Sequence, residues 1–465
     1  MAYYFRRRVL PFRLVTRLVM FLQPQKFALR KSNPVLFQSL LLRSYTNSLP
    51  NGPSEKLTSA VVLDKYLSKV EKALKTFFFV NSIGFMIFIS GDLLYAWYLD
   101  SCNESLLNET MEKGTRPDVG IKEDELVPRP VVIERLKKIL LPRKDQSFYY
   151  VVCGEHGTGK TVLTRIASRE VGEDKKRGIQ GGRGVIYVDI PPNDPNVKDF
   201  DEEFGEAFGK ALNFKFEENI SFSAQLMKKY LVTPADSKPK WKRALKAFKR
   251  ASAVYKKTNP CHQPPVIVYD NISHIDPGIL DYLQDDAKKS ADGRNYITVF
   301  VCSEGSVPRR MESRSAWSRA KAVIEIGDLS EEESMKYLTE KRKINEVDTK
   351  KIYELVGGRI IDLKDVADDF LAKKPFEDTK GQILAKVKQK FESAKLLRNQ
   401  THHEAGKGVI DALLKSKEIN TDVFREFFKD AEEYSEVLKA NVFAYHPSRD
   451  TGIVSLDQQG SLSYY

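Results

Sequence analysis

Eight consecutive residues decide how this chain folds, and they read Gly154-Glu155-His156-Gly157-Thr158-Gly159-Lys160-Thr161. The apolar and aromatic run 148–152 precedes them, as a buried parallel strand requires. A helical pattern of apolar residues begins directly after them, at Val162. A strand that ends in a glycine-rich turn and opens a helix gathers backbone N–H groups at the positive end of the helix dipole. The stretch therefore predicts an anion-binding turn.

The spacing of this stretch is G-x-x-x-x-G-K-T, the pattern of a nucleotide-binding P-loop. Its glycines let the backbone approach phosphate oxygens closely. Lys160 is expected to reach the β- and γ-phosphates, and the Thr161 hydroxyl is expected to ligate Mg²⁺. We therefore predict that residues 154–161 bind ATP with Mg²⁺. The alternative is a glycine-rich turn with an incidental lysine.

Four further strands are predicted at 184–190, 264–271, 295–304 and 321–327, with helical patterns between them. Alternation of strands and helices predicts an α/β fold with a mostly parallel five-stranded sheet that is covered on both faces. The helical segment 238–257 carries many basic residues, so one face should pack and the other should be basic. A solvated face is the preferred interpretation, and contact with nucleic acid or anionic lipid is the alternative.

The strand at 264–271 ends in Asp270, whose carboxylate we expect to hold Mg²⁺ together with Thr161. The next residue is Asn271, and an amide cannot accept a proton from the attacking water; at best it orients that water. Slow ATP hydrolysis or a switch-like nucleotide cycle is therefore predicted. Other side chains that could act on the water are His274, Asp276 and Glu304.

The landmarks between residues 126 and 370 resemble, in their order, those of AAA+ ATPases and the related STAND ATPases of the archaeal type. The resemblance implies that Arg129, in the entry segment 126–140, lies beside the adenine. It also implies that Ser303 touches the γ-phosphate as a sensor-1 residue. Most AAA+ proteins carry a glutamate where this chain has Asn271.

Two further arginines enter through the same resemblance. Arg319 is the closest match to a family arginine near the active site, in a stretch that could equally be a solvated basic loop. The alternatives for an arginine finger that acts across a subunit boundary are Arg309, Arg310 and Arg314. Residues 329–338 and 356–363 resemble the start and the G-G-x-x-x-x-L signature of a helical lid. Arg359 would then meet the γ-phosphate as a sensor-2 residue; otherwise it belongs to a helix cap.

The N-terminal part suggests targeting and a membrane. Residues 1–54 contain nine basic residues and no acid, which favours a mitochondrial presequence over a basic tail. The mostly uncharged stretch 77–99 is long enough for one transmembrane helix, with Asp92 near one end. Lysines before it and acids after it predict an inner-membrane protein with its ATPase domain in the intermembrane space.

The C-terminal part, with three helical segments and a strand pair, resembles a winged helix. From Thr401 onward it has seven Lys or Arg residues against eleven Asp or Glu, which favours a protein partner over DNA. The predicted domains are a presequence at 1–45, a charged linker or helix at 46–76, the transmembrane helix at 77–99, a linker at 100–123, the P-loop ATPase domain at 124–328, the helical lid at 329–400 and the winged-helix-like domain at 401–465.

Together these features predict a membrane-anchored mitochondrial ATPase that couples nucleotide binding and hydrolysis to a conformational change on a protein partner. It could assemble as a homo-oligomer. Two alternatives stay open: a nucleotide-dependent scaffold that hardly hydrolyses ATP, and a nucleic-acid-linked ATPase. The second is less favoured because most of the net charge of +12 lies in the first 54 residues. The four cysteines lack metal-ligand spacing, and no H-E-x-x-H motif indicates a protease.

Overall fold

The structure is a computed structural model that describes residues 53–122, 125–173, 180–192, 200–216, 238–303, 305–416, 418–440, 442–446 and 453–456. The predicted presequence at 1–45 lies outside these residues. The chain divides into two compact units, Met1–Phe88 and Ile89–Tyr465. Within the described residues, the first unit consists of the N-terminal part of one helix. All contacts discussed below belong to the second unit.

The long helix α1 spans Pro53–Lys113. Across the described residues, none of the helices combines the length and the apolar character that a membrane crossing requires. The predicted anchoring in a membrane by one transmembrane helix at 77–99 is therefore wrong. So is the predicted location in the mitochondrial inner membrane with the ATPase domain in the intermembrane space. Asn81, Ser82 and Asp92 interrupt the apolar stretch that suggested them.

The linker predicted at 100–123 is not a linker over its first part, because α1 continues to Lys113. Leu107 and Met111, spaced by four residues on one helical face, are fully buried in the core of the second unit. Asn103 adds two hydrogen bonds to the backbone of Lys215, at 2.8 and 2.9 Å. The charged residues between these positions gave the segment the composition of a linker and hid its buried face.

An α/β domain follows α1, and its five strands form one parallel sheet in the order β2-β3-β4-β1-β5. The predicted five-stranded sheet is thus confirmed, and every strand pair in it is parallel. Its elements are α2 (Pro130–Leu140), β1 (Tyr150–Cys153), α3 (Lys160–Glu170), β2 (Val185–Asp189), α4 (Phe200–Ala211), α5 (Lys240–Thr258), β3 (Val266–Asp270), α6 (Pro277–Asp292), β4 (Ile297–Val301), α7 (Ser306–Glu312) and β5 (Ile324–Glu325).

Apolar clusters cover both faces of this sheet, which explains why its strands read as continuous apolar runs. On one face, Phe204 and Phe208 of α4 and Phe248 of α5 pack against the strands. On the other face, α2 and α3 contribute Leu136 and Leu163. The basic helix α5 buries its apolar side against the sheet, as its spacing predicted.

Four helical segments follow the sheet. They are α8 (Glu331–Lys336), which continues as a π-helical turn at Tyr337–Lys341, α9 (Glu346–Val356), α10 (Ile360–Leu371) and α11 (Phe376–Ser393). Ser330 begins α8 with a reciprocal capping box to Glu333. Leu329, Leu338, Ile352 and Leu363 join these helices in one apolar cluster.

The C-terminal part consists of three helices and a three-stranded antiparallel sheet in the order β6-β8-β7. The elements are α12 (His403–Ser416), β6 (Glu418–Asn420), α13 (Thr421–Glu426), α14 (Ala431–Lys439), β7 (Phe443–His446) and β8 (Ile453–Leu456). Three helices and two strands were expected, and β6 is an addition. Phe391 of α11 lies in the same apolar cluster as Phe424 of α13, so this part packs directly on the preceding helices.

Candidate nucleotide-binding site

The P-loop connects the carboxyl end of β1 to the amino end of α3, where the sequence predicted it. Two of its glycines are required by the backbone. A Cβ atom on Gly154 would lie 2.1 Å from the Ile326 carbonyl oxygen. Gly157 has φ +80°, and a Cβ atom there would lie 2.4 Å from Cγ2 of Ile361. The loop is therefore pressed between the end of β5 on one side and α10 on the other.

Lys160 is the most deeply placed charged group of the loop, with 4% of its surface exposed. Its Nζ donates to the Glu155 carbonyl oxygen at 2.5 Å and lies 3.4 Å from Oγ1 of Thr158. Burial lowers the pKa of this ammonium group below its ordinary value. A phosphate anion in the loop would supply the negative charge that the buried ammonium group lacks.

The predicted Mg²⁺ ligands Thr161 and Asp270 lie together. The Thr161 side chain lies close enough to the Asp270 carboxyl to lower its pKa. Asp270 is 1% exposed; its Oδ1 accepts from the backbone N–H of Asn271 at 2.9 Å, and its Oδ2 accepts from the Tyr187 hydroxyl. Burial raises the pKa of this carboxyl, and these hydrogen bonds oppose the rise. A hydroxyl and a carboxylate side by side are oxygen ligands of the kind Mg²⁺ prefers, so the pair fits the ion.

Arg359 closes the site from the helices that follow the sheet. It is 3% exposed, and its Nη1 donates to the His156 carbonyl oxygen within the P-loop at 2.8 Å. Its Nε and Nη2 donate to the two carboxylate oxygens of Asp328 at 2.6 and 3.2 Å. Arg359, the predicted sensor-2 arginine, is thus brought to the P-loop, where it forms a direct hydrogen bond to the backbone of the loop.

Arg129 and Ser303 also lie near this edge of the sheet. Arg129 donates to the carbonyl oxygens of Gly327 at 2.8 Å and Asp328 at 3.3 Å, so it holds the segment that carries the partner of Arg359. Ser303 follows the carboxyl end of β4, and its backbone N–H donates to Oγ of Ser273 at 3.3 Å. Their roles toward adenine and γ-phosphate remain predictions.

Arg319 lies at the opposite edge of the sheet. Its carbonyl oxygen accepts from the N–H of Tyr149, immediately before β1 begins, whereas the P-loop follows the other end of β1. Its guanidinium group pairs with Asp292 at the end of α6. The structure therefore does not bring Arg319 to the P-loop of its own chain, and a role of Arg319 near an active site stays a prediction. Sequence similarity to the family stretch could not show which end of the strand it occupies.

The alternative arginines also have partners. Arg310 and Arg314 both pair with Asp281 of α6, and Arg314 also pairs with Asp285. The guanidinium carbon of Arg309 lies 4.3 Å from the centre of the Tyr434 ring, so this side chain packs on the C-terminal part. A role of Arg309, Arg310 or Arg314 as an arginine finger across a subunit boundary stays a prediction.

The side chain of Asn271 points along the strand ends toward β2. Its Nδ2 donates to Oδ1 of Asp189 at 2.8 Å, and Oδ2 of Asp189 pairs with Nη2 of Arg165 at 2.7 Å. Arg165 in turn donates to the Tyr187 hydroxyl at 3.2 Å. Sequence reasoning missed Asp189, Tyr187 and Arg165. The available signal was that the two predicted strands 184–190 and 264–271 both carry an aspartate as their second-to-last residue.

The other side chains considered for water activation are placed as follows. Asp276 caps α6, where its Oδ1 accepts from the N–H groups of Gly278 at 2.7 Å and Ile279 at 3.3 Å. His274 ends the single helical turn Ile272–His274, with Nδ1 buried and unbonded. Glu304 lies outside the described residues.

Comparison with known proteins is consistent with this geometry. Residues 143–304 match the family model of the AAA domain. The chain is also similar to the Aeropyrum pernix ORC2 protein in its ADPNP–ADP complexes, with 15% identity, 74% of this chain and 93% of that chain covered, and a TM-score of 0.38. Drosophila ORC bound to DNA is 12% identical, with 78% of this chain and 91% of that chain covered and a TM-score of 0.34. DnaA bound to AMPPCP and single-stranded DNA is 16% identical, with 68% of this chain and 89% of that chain covered and a TM-score of 0.32. No curated protein sequence matches significantly. The stretch that matches the AAA domain contains the P-loop, Asp270, Asn271 and Ser303.

Proposed function

We propose that this AAA-domain chain binds ATP with Mg²⁺ at residues 154–161 and hydrolyses it slowly, as an AAA+/STAND-type ATPase. One observation carries the proposal: the buried Lys160, the neighbouring side chains of Thr161 and Asp270, and Arg359 at the start of α10 converge on one loop. Adjacency in sequence alone places Lys160 next to Thr161. Asp270 and Arg359 join them through the tertiary fold.

The residues divide the work as follows. Backbone N–H groups of the loop and Lys160 bind phosphate oxygens. Thr161 and Asp270 would hold Mg²⁺, which neutralises charge on the β- and γ-phosphates when bound. Arg359 would report whether a γ-phosphate is present, because a small rotation of its guanidinium group exchanges the His156 carbonyl oxygen for a phosphate oxygen.

The response to ATP would pass from Arg359 through α10 and α11 to the C-terminal part, which we propose is a winged-helix-like module for a protein partner. Besides the packing of Arg309 on Tyr434, two hydrogen bonds connect this part to the α/β domain. The Tyr445 hydroxyl donates to Oε2 of Glu312 at 3.1 Å, and Nδ1 of His446 is hydrogen-bonded to Glu325 at the end of β5. A change at the lid would therefore strain or release both. Assembly with further copies of the chain remains part of the proposal.

Nucleotide hydrolysis and its dependence on Mg²⁺ test the proposal. We expect the full chain to release phosphate from ATP slowly and only with Mg²⁺. Thr161→Ala and Asp270→Asn should abolish this turnover and weaken the Mg²⁺ dependence of ATP binding. Thr258→Ala, which alters an exposed threonine at the end of α5, is the matched control and should behave like the unaltered protein. ATP binding that ignores Mg²⁺, or that survives Asp270→Asn unchanged, would reject the assigned ligands.

A nucleotide-dependent scaffold is the second candidate, and Asn271 favours it because its amide cannot take the proton of the attacking water. Tight, Mg²⁺-dependent ATP binding without measurable phosphate release would support the scaffold and reject the ATPase. Turnover that is lost in Asp270→Asn would support the ATPase.

A nucleic-acid-linked ATPase is kept as a third candidate by a basic cavity of about 850 Å³ between α5 and α6. The lysines that line it are Lys144, Lys249, Lys256, Lys257 and Lys289. Lys257→Glu with Lys289→Glu should then abolish a salt-sensitive binding of DNA or RNA, measured by fluorescence anisotropy. Lys350→Glu, at an exposed position of α9, is the matched control. Equal binding by both proteins, or no binding by the unaltered chain, would reject this candidate.

A further inference from the structure

The basic cavity of about 850 Å³ between α5 and α6 lies at the opposite edge of the sheet from the P-loop. Its lining includes His262, Asn295 and Tyr296, which come shortly before β3 and β4 in the chain. Because β1, β3 and β4 are parallel, their amino ends share one edge, whereas the P-loop follows the carboxyl end of β1. We propose that this cavity is a second anion site, separate from the nucleotide site, and that its ligand is a compact anion with several phosphate groups.

The charges around the cavity are mostly positive. Five lysines and one carboxylate, that of Asp286, line it. Two of these lysines already have partners in the fold: Lys249 pairs with Asp286, and Nζ of Lys256 donates to the Arg294 carbonyl oxygen at 2.6 Å. Asp286 also accepts a hydrogen bond from the Tyr296 hydroxyl. The one carboxylate of the cavity is therefore engaged and does not balance the remaining lysines.

The other three lysines come from three different elements. Lys144 lies in the loop between α2 and β1, Lys257 in the last turn of α5 and Lys289 in the last turn of α6. All three are exposed, and none forms an ion pair with a residue that the structure describes. Like charges around one cavity repel each other. A phosphate group carries roughly 1.5 to 2 negative charges at pH 7, so an anion that balances three ammonium groups needs at least two phosphate groups.

The ends of the two helices oppose an anion at this place, because a helix carries partial negative charge on its last carbonyl oxygens. Hydrogen bonds within the fold reduce that opposition. The backbone N–H of Asn295 donates to the Ser290 carbonyl oxygen at 2.9 Å. Nδ1 of His262 donates to the Lys256 carbonyl oxygen at 3.2 Å, since a carbonyl oxygen can only accept. With these carbonyl groups engaged, the lysine side chains remain the groups available to a ligand.

The volume of the cavity selects among anions. Pockets for small molecules commonly measure about 300–1,000 Å³, and this cavity lies within that range. A single phosphate ion is too small to meet lysines from three elements at once. Nucleic-acid strands are bound by grooves that follow the backbone over several nucleotides, whereas these lysines surround one cavity. The observations therefore favour a small molecule with clustered phosphate groups over a strand.

Titration calorimetry with inorganic tripolyphosphate, without Mg²⁺, tests the inference. The titration uses the full chain with Lys160→Ala, which removes the main phosphate contact of the P-loop. We expect this protein to bind tripolyphosphate. Adding Lys257→Glu and Lys289→Glu should raise the Kd at least about tenfold, because two charged contacts to phosphate are lost. Lys144→Glu alone should also raise the Kd, through a different element.

Lys350→Glu with Lys388→Glu is the matched control, because it changes the net charge equally at two exposed positions of α9 and α11. We expect it to leave the Kd for tripolyphosphate within about twofold of the Lys160→Ala chain, a change small beside a lost phosphate contact. The altered lysines of the cavity are exposed, so the variants should fold, and a thermal melt checks this. If the double variant unfolds, Lys144→Glu carries the test.

No binding of tripolyphosphate to the Lys160→Ala chain, or equal effects of the cavity variant and the control, would overturn the inference. So would an oligonucleotide that binds at these lysines and is not displaced by tripolyphosphate, because the cavity would then belong to nucleic acid. ATP binding to the chain that keeps Lys160 should be unchanged by the cavity substitutions. Absence of ATP binding would remove the proposed function and leave this inference standing.

Discussion

Replacing Arg359 by alanine should weaken the binding of ATP more than the binding of ADP. This arginine is 3% exposed and forms an ion pair with Asp328 through two nitrogens. It also donates from Nη1 to the His156 carbonyl oxygen at 2.8 Å. This bond faces the P-loop, so it is the one that we expect a γ-phosphate to replace.

The magnitude follows from that exchange. A hydrogen bond to a charged group contributes about 1.5–3 kcal/mol; we assign the lower end to the bond from Arg359 to the neutral His156 carbonyl and the upper end to a bond from Arg359 to a charged phosphate. Exchanging the carbonyl bond for the phosphate bond then gains roughly 1–2 kcal/mol for ATP alone. That difference corresponds to about 5- to 30-fold in the ratio of the two dissociation constants. The cost of removing the ion pair with Asp328 is common to both nucleotides and cancels in the ratio.

Isothermal titration of the unaltered chain and of Arg359→Ala with ATP and with ADP measures this ratio. Arg359→Lys is the matched control: it keeps the charge but cannot bond Asp328 and a phosphate at once, so an intermediate ratio is expected. If Arg359→Ala leaves the ratio of ATP to ADP affinity unchanged, Arg359 does not read the γ-phosphate and the reasoning fails.

Three further predictions concern stability, all measured by thermal unfolding. Gly157→Ala should destabilise the protein by roughly 1–2 kcal/mol because residue 157 has a left-handed backbone. The added methyl group should also clash with Ile361, so the second change Ile361→Ala should recover part of the lost stability. No recovery of stability with Ile361→Ala would contradict the contact. Burial raises the pKa of Glu312, so the ionised carboxylate destabilises the fold above the ordinary pKa, whereas the protonated carboxyl does not. Glu312→Gln should therefore raise Tm at pH 7, and this gain in Tm should disappear toward pH 4. A gain in Tm that stays constant with pH would refute burial of the carboxylate as the cause. Leu107→Ala should cost about 2–5 kcal/mol and the exposed Leu106→Ala less than about 1 kcal/mol, and equal losses would show that α1 does not pack there.

Local patterns were sufficient for most of the AAA domain. The five strands and the P-loop follow from apolar runs and a fixed spacing of glycine and lysine, both of which depend on near neighbours in sequence. The capping box at Ser330 follows from a spacing of three residues. Such signals do not require knowledge of which strands are adjacent.

Features that depend on strand position or on distant partners were not predictable in this way. Arg319 was assigned to the active site by similarity, yet hydrogen bonding to Tyr149 places it at the other end of β1. The link between Asp189 and Asn271 depends on the register of β2 against β3, over a separation of 82 residues. The buried face of α1 at Leu107 was hidden for a different reason, because charged residues surround it in sequence.

Equilibrium binding of ATP to the unaltered chain and to Lys160→Ala tests the central claim most directly. Lys138→Ala, at an exposed position of α2, serves as the matched control. We predict Mg²⁺-dependent binding to the unaltered protein and to the control, and a loss of at least about tenfold in Lys160→Ala, since a charge-assisted phosphate contact contributes about 1.5–3 kcal/mol. Absence of ATP binding to the unaltered protein, or equal affinity in Lys160→Ala, would contradict the assignment of this loop as the nucleotide site.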